Sequence, residues 1–148
     1  MNWSRLIPGT IRSILRGERP VIRSDGRHTR EFLYIADAVD AYLELADRLD
    51  DPAIRGQAFN FGQGRPVSIF DLVRKLIALG PNKDLAPLVT DTARGEIRDQ
   101  SLCSDKAEKL LGWQARWSLE EGLARTFRWY EAFLRDALSE DWRSPDSR

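Results

Sequence analysis

Five arginines in this chain fall at turns and in loops rather than on helical faces: Arg23, Arg27, Arg30, Arg94 and Arg98. A guanidinium presents its N–H donors in a rigid fork that matches phosphate oxygens two at a time. Two such forks would hold a diphosphate without any catalytic group. The densest run is residues 20–37, where Arg23, Arg27, His28 and Arg30 surround an Asp25-Gly26 turn signal. A blander reading stands beside it, a solvated basic surface paired with Glu31, Glu96 and Asp99.

Other reactive side chains carry less. His28 is the single histidine, with no second ligand at a metal-binding spacing and no nucleophile paired to it. Cys103, just before a helix start, reads as a small buried or half-buried packing residue. Gly62-Gln63-Gly64 follows a strand signal, but the third glycine of a dinucleotide fingerprint is missing. The rings of Trp113, Trp117, Trp129 and Tyr130 read as packing groups at the start and on the inner face of the last helix.

The elements that must position these residues can be traced by periodicity. Leu6 or Ile7, Ile11 and Ile14 or Leu15 predict a helix over 6–16, stopped by Gly17. Short strands follow at 21–23 and 31–34. Ile35, Val39, Tyr42 or Leu43, Ala46 and Leu49 predict the apolar face of a second helix, with Asp37 at its start. Residues 57–61 read as a strand. Ser68 with Asp71 opens a helix that stops at Gly80-Pro81. Residues 85–89 read as an edge strand or extended loop because Pro87 interrupts them, and 90–100 as a charged loop or weak strand. A short helix spans 105–111. Ser118 with Glu121 forms a capping box for a last helix whose stripe is Leu123, Phe127, Tyr130, Leu134 and Ala137. Helix and strand alternate, so the class is α/β.

Bulk properties set the frame. The chain has 148 residues, 42% hydrophobic, with 23 basic and 23 acidic side chains. That suits one domain with a moderate core and argues against a general nucleic-acid binder. No apolar run is long enough to span a membrane, and residues 1–5 lack the apolar core of a secretory signal. A single cysteine cannot close an intrachain disulfide. The expected location is therefore cytoplasmic. One domain is expected over 1–140, followed by a polar, disordered tail at 141–148.

Several segments, in order, resemble the NAD-dependent epimerase/dehydratase family of extended short-chain dehydrogenase/reductases. They are Arg5-Leu6-Ile7-Pro8, Gly17 to Pro20, Arg30-Glu31-Phe32-Leu33-Tyr34-Ile35-Ala36-Asp37-Ala38, and Phe59-Asn60-Phe61-Gly62. Further on come Gly95-Glu96-Ile97-Arg98-Asp99-Gln100, Asp105-Lys106-Ala107, Leu111-Gly112-Trp113 and Leu119 to Leu123, then Thr126 and Trp129-Tyr130. The likeness runs from about Trp3 to Leu134. It implies the C-terminal, substrate-binding part of the fold, lacking the N-terminal Rossmann half, and is most similar to CDP-glucose 4,6-dehydratases.

The resemblance also implies roles. Val21, Ile22 and Arg23 would lie beside the nucleotide base and ribose, Arg30 on the diphosphate, and Arg94 and Arg98 on the diphosphate or ribose side. Arg5 would approach the substrate from the first helix. Phe59 to Phe61 would be a late strand of the nucleotide-binding sheet. The implied partner is a nucleoside diphosphate sugar, CDP-, UDP- or GDP-linked, with self-association or a Rossmann half covering exposed edges, and neither nucleic acid nor membrane. The family's glycine-rich cofactor loop and catalytic Tyr-x-x-x-Lys are not in the chain: four residues beyond Tyr34, Tyr42 and Tyr130 stand Ala38, Ala46 and Leu134. The expectation is thus a substrate-binding portion with no catalytic residue and no cofactor bound by this chain alone, NAD being implied for the intact enzyme. The alternative is a non-catalytic structural or interaction module.

Overall fold

The structure is a computed structural model that describes residues 2–139, with side chains as far as Arg135. The tail expected at 141–148 and the side chain of Ala137 lie outside the described residues. Helix α1 spans Leu6–Leu15 and buries Thr10, Ile11 and Ile14. Gly17 ends it with φ +72°, a conformation that costs glycine no Cβ clash. The Glu18 N–H donates to the Ser13 carbonyl and the Gly17 N–H to that of Ile14, the paired bonds of a Schellman stop.

Strand β1 (Val21–Ile22) then leads through the Asp25-Gly26 turn to β2 (Thr29–Arg30). Helix α2 spans Ile35–Asp47. Strand β3 (Val67–Ser68) runs directly into α3 (Ile69–Leu79). Strands β4 (Leu88–Val89) and β5 (Asp99–Gln100) precede α4 (Asp105–Leu111) and α5 (Leu119–Ser139). The strands form two small sheets. β1 pairs in parallel with β4. β2 lies between antiparallel β3 and parallel β5. Both parallel pairings close through helical crossovers, the connection that parallel strands require.

Two apolar clusters hold these pieces. The first joins α1, α3 and α5 around Ile11, Ile14, Leu72, Leu76 and Phe127, with Ile22 from β1. The second gathers Ala41 of α2, Ile54, Ala107, Leu111 and Trp113. Ser68 caps α3 by accepting the Asp71 N–H, and Ser118 caps α5 with Glu121 reaching back, as their spacing predicts.

Three expectations fail here. The strand predicted at 31–34 lies earlier, at Thr29–Arg30. Its apolar residues Phe32 and Leu33 pack against the two clusters from irregular chain instead. Residues 57–61 pair with no strand among the described residues, so Phe59 to Phe61 is not a late strand of a sheet; its rings pack on the second cluster. The predicted apolar face of α2 points outward. Ile35, Val39, Tyr42, Leu43 and Leu49 are exposed, Tyr42 by 74%. The buried face is Asp37, Ala41 and, in part, Leu45. The reason is a polar anchor: the Asp37 carboxylate, 1% exposed, accepts the Arg116 and Trp117 N–H groups at 2.9 and 3.2 Å. A buried carboxylate needs such partners, and they turn the helix so that small Ala41 meets the core.

Candidate functional site

A cleft of about 740 Å³ opens between the start of α1 and the end of β1. Arg5 and Arg12 reach it from α1 and its approach. Val21, Ile22, Arg23 and Ser24 line it from β1 and the turn beyond, Arg30 from β2, and Glu96 from the loop opposite. Five of the seven residues assigned to ligand binding from sequence thus meet in one place: Arg5, Val21, Ile22, Arg23 and Arg30. Ile22 is 1% exposed and serves as floor, while Val21 is 49% exposed.

Arg94 and Arg98 do not line the cleft. The Arg94 guanidinium folds back on its own loop and donates to the Asp91 and Ala93 carbonyls at 2.7 and 2.9 Å. Arg98 acts through its backbone, its carbonyl accepting the Thr29 N–H at 2.9 Å. Arg30 is partly committed. Its Nη1 donates to the Thr29 and Arg98 carbonyls and its Nη2 to that of Ile97, at 2.8, 3.1 and 2.5 Å. A guanidinium has five N–H donors, so Arg30 can tie down the 91–98 loop and still offer the rest to a ligand.

The alternative reading, a solvated basic surface paired with acids, holds in exposure and not in pairing: Arg23, Arg27, Arg94 and Arg98 are exposed. None of Arg23, Arg27, Arg30, Arg94 or Arg98 forms an ion pair with Glu31, Glu96 or Asp99. Glu31 instead accepts the Gly64 and Leu102 N–H groups, each at 2.7 Å, Asp99 accepts the Thr29 hydroxyl at 2.8 Å, and Glu96 faces His28. Arg12 is the cleft residue that loop-based reasoning missed. It stands seven residues after Arg5, about two helical turns, and its guanidinium lies 5.2 Å over the Trp3 ring. That spacing was the available signal.

The remaining candidates resolve simply. Gly62-Gln63-Gly64 is no phosphate cradle, because a Cβ at Gly62 would press into the Glu31 carboxylate, a group that repels phosphate. Cys103 is exposed, not half-buried, on a separate cleft of about 500 Å³. Trp113 is buried as expected, and Trp117 sits under the Arg125 guanidinium at 4.0 Å. Trp129 is 55% exposed and stacks on Phe133 rather than entering the core. Among the described residues no helix is long and apolar enough to cross a membrane.

Residues 2–62, which carry α1, β1, β2 and α2, match the model of the NAD dependent epimerase/dehydratase family. The chain resembles that family over this stretch. It is 32% identical over 118 residues to a UDP-glucose 4-epimerase of Mycolicibacterium smegmatis, covering 80% of this chain and 36% of that protein. A UDP-glucose 4-epimerase of Thermotoga maritima, solved with UDP-glucose, superposes with a TM-score of 0.77 at 29% identity over 88% of this chain and 40% of the other. MoeE5 in complex with UDP-glucose and NAD gives 0.72 at 30% identity, over 90% and 44%. The chain therefore spans well under half the length of these relatives.

These similarities support an α/β fold of the extended short-chain dehydrogenase/reductase type and correct the finer assignments. The family model's match occupies residues 2–62, the N-terminal part of this chain, while the pairwise likenesses cover 80–90% of it. The assignment to a C-terminal, substrate-binding part that lacks the Rossmann half is withdrawn on that ground. The reading as a non-catalytic substrate-binding remnant or structural module falls with it. The special likeness to CDP-glucose 4,6-dehydratases is not carried further: the relatives include a dTDP-D-glucose 4,6-dehydratase as well as UDP-glucose 4-epimerases. Each matching segment is short, and spacing alone does not tell which part of a longer fold it comes from.

Proposed function

We propose that this protein serves NAD-dependent chemistry on a nucleotide sugar, and that the arginine-lined cleft holds the diphosphate of the nucleotide. The observation that carries this is the convergence of Arg5, Arg12, Arg23 and Arg30 on a cleft of about 740 Å³, a size within the range of small-molecule sites. In this reading Arg5, Arg12 and Arg23 contact phosphate oxygens and Arg30 shares its remaining donors with them. Val21 and the Ile22 floor flank the base and ribose. Arg94 and Arg98 belong to the loop that borders the site and reach the ligand only if that loop closes. UDP-linked sugars are the first candidates, with CDP- and GDP-linked sugars as comparisons, because MoeE5 and the Thermotoga epimerase were solved with UDP-glucose.

A dinucleotide such as NAD presents the same diphosphate chemistry. When bound to an enzyme of this kind it supplies the hydride acceptor. The chain's own groups that fit its diphosphate are the cleft arginines rather than the Gly62-Gly64 turn, where the Glu31 carboxylate stands in the way.

Titration of the ¹⁵N-labelled chain with UDP-glucose and, separately, NAD discriminates the two ligands. Amide shifts at Val21 to Ser24 and along the first turn of α1 are expected with UDP-glucose. Removing a charge-assisted bond costs about 1.5–3 kcal/mol, so Arg23→Ala is expected to weaken binding by about tenfold or more. Shifts with NAD alone would reassign the cleft to the cofactor. The absence of shifts with either ligand, or with CDP- and GDP-sugars, would sink the reading.

A further inference from the structure

His28 stands between two carboxylates. Its Nδ1 lies 3.3 Å from Glu96 Oε2 and its Nε2 4.0 Å from Asp25 Oδ1. These are its two ion-pair contacts: Asp25 from the turn that leads to His28, and Glu96 from the loop opposite. The ring side chain is 20% exposed, so the contacts are partly shielded from water. Glu96 is also the one acidic residue lining the arginine cleft.

The 91–98 loop is anchored to β2 at its far end by the Thr29 N–H to Arg98 carbonyl bond and by the Arg30 guanidinium on the Ile97 and Arg98 carbonyls. Its near end is held too, the Thr92 and Ala93 N–H groups donating to the Arg23 carbonyl at 2.7 and 2.8 Å; between these anchors the Glu96 side chain contacts His28. A neutral imidazole leaves both carboxylates uncompensated, Glu96 among the residues that line the cleft. A protonated one leaves one, and bonds Glu96 through a charge-assisted hydrogen bond. Imidazole changes charge between about pH 5 and 8.

We propose that His28 and Glu96 form a pH-dependent latch: protonation of His28 holds the 91–98 loop against β2 and masks the Glu96 charge, so the cleft takes a diphosphate ester more tightly as pH falls. The ligand half of this statement rests on the function proposed above; the loop half does not. One unit charge at about 6 Å in water changes an anion's affinity on the order of 3-fold, and that is the size of effect expected.

Two measurements separate the halves. Without ligand, ¹⁵N relaxation of the Gly95, Glu96 and Ile97 amides is expected to show more order at pH 6 than at pH 8 in the unmodified chain. His28→Gln, which keeps a donor but cannot titrate, and Glu96→Gln should each show no such difference. Equal order at both pH values in the unmodified chain overturns the latch. With UDP-glucose, whose diphosphate diester keeps its charge across this range, Kd is expected about 3-fold lower at pH 6 than at pH 8. Glu96→Gln should bind at pH 8 at least as tightly as the unmodified chain does at pH 6, and His28→Gln should lose the pH dependence. Loop order that changes with pH while UDP-glucose binds equally at both pH values overturns the coupling to the cleft. Loop order that changes with pH and no UDP-glucose binding at either pH keeps the latch and removes the nucleotide reading.

Discussion

At the scale of single residues, Glu31 is a structural tie beside the site. One carboxylate ties the Gly64 and Leu102 N–H groups together, 38 positions apart in sequence, from a position next to Arg30. It sets where the chain after β2 runs and therefore where Arg30 points. Glutamine keeps the shape but turns one acceptor into a donor that faces a backbone N–H. Glu31→Gln is expected to cost about 1–3 kcal/mol, read as a lower urea midpoint at unchanged slope. Gly62→Ala should destabilise through the same pair, since its methyl would press on the Glu31 carboxylate. Combining the two changes should cost less than their sum, because neighbours that share a contact are not additive.

At the scale of elements, α2 gives the sharpest test. Its apolar stripe is exposed and its buried face is anchored by Asp37. Tyr42→Ser is expected to change stability by no more than about 0.5 kcal/mol, as exposed substitutions do. Ala41→Leu should cost about 1–3 kcal/mol by overpacking the second cluster. Thermal unfolding of the two variants in parallel would reverse the assignment if the costs came out the other way round.

Helix α5 supplies a pH test. The Ser118 hydroxyl and N–H both donate to the Glu121 carboxylate and hold its pKa below the usual carboxylate range. A depressed carboxylate contributes stability that is present above its unfolded pKa, about 4.3, and is lost as pH falls through the folded value. Ser118→Ala is expected to cost about 1 kcal/mol at neutral pH. The gap to the unmodified chain should narrow in acid-unfolding curves below about pH 4.

At the scale of the molecule, the first turn of the chain closes on the last helix. The Trp3 ring lies 5.7 Å from Tyr130, and Tyr130 packs against the cluster built from α1, α3 and α5. This contact forms one wall beside Arg12 and the cleft. Burial raises the Tyr130 pKa above its ordinary value. A raised phenol favours the neutral form in the fold, so its contribution is present below the unfolded pKa of about 10 and is lost as pH rises through the folded value. Alkaline unfolding followed by tryptophan fluorescence should therefore shift to higher pH in Tyr130→Phe. An unchanged alkaline limb would remove Tyr130 from that role.

Local signals were legible where a short stretch of chain decides the outcome. The Gly17 stop, the Ser68 and Ser118 caps and the stripe of Leu123, Phe127 and Leu134 all appear as their spacing predicts, because caps and periodicity are settled within a turn or two of helix. The α/β class was legible because helix and strand signals alternate along the chain, whereas of the five loop arginines only Arg23 and Arg30 line the cleft. Tertiary structure alone decided the rest. Nothing in the spacing of Ile35, Val39 and Tyr42 reveals that Asp37 finds two backbone donors 79 and 80 residues away and turns the helix over. Likewise, only the fold shows that Arg12 joins the cleft while Arg94 bonds its own loop, that Phe59 to Phe61 pairs with no strand among the described residues, and that Glu96 faces His28 across 68 positions. Such outcomes depend on which distant backbone groups come within bonding distance, and spacing along the chain does not encode that distance.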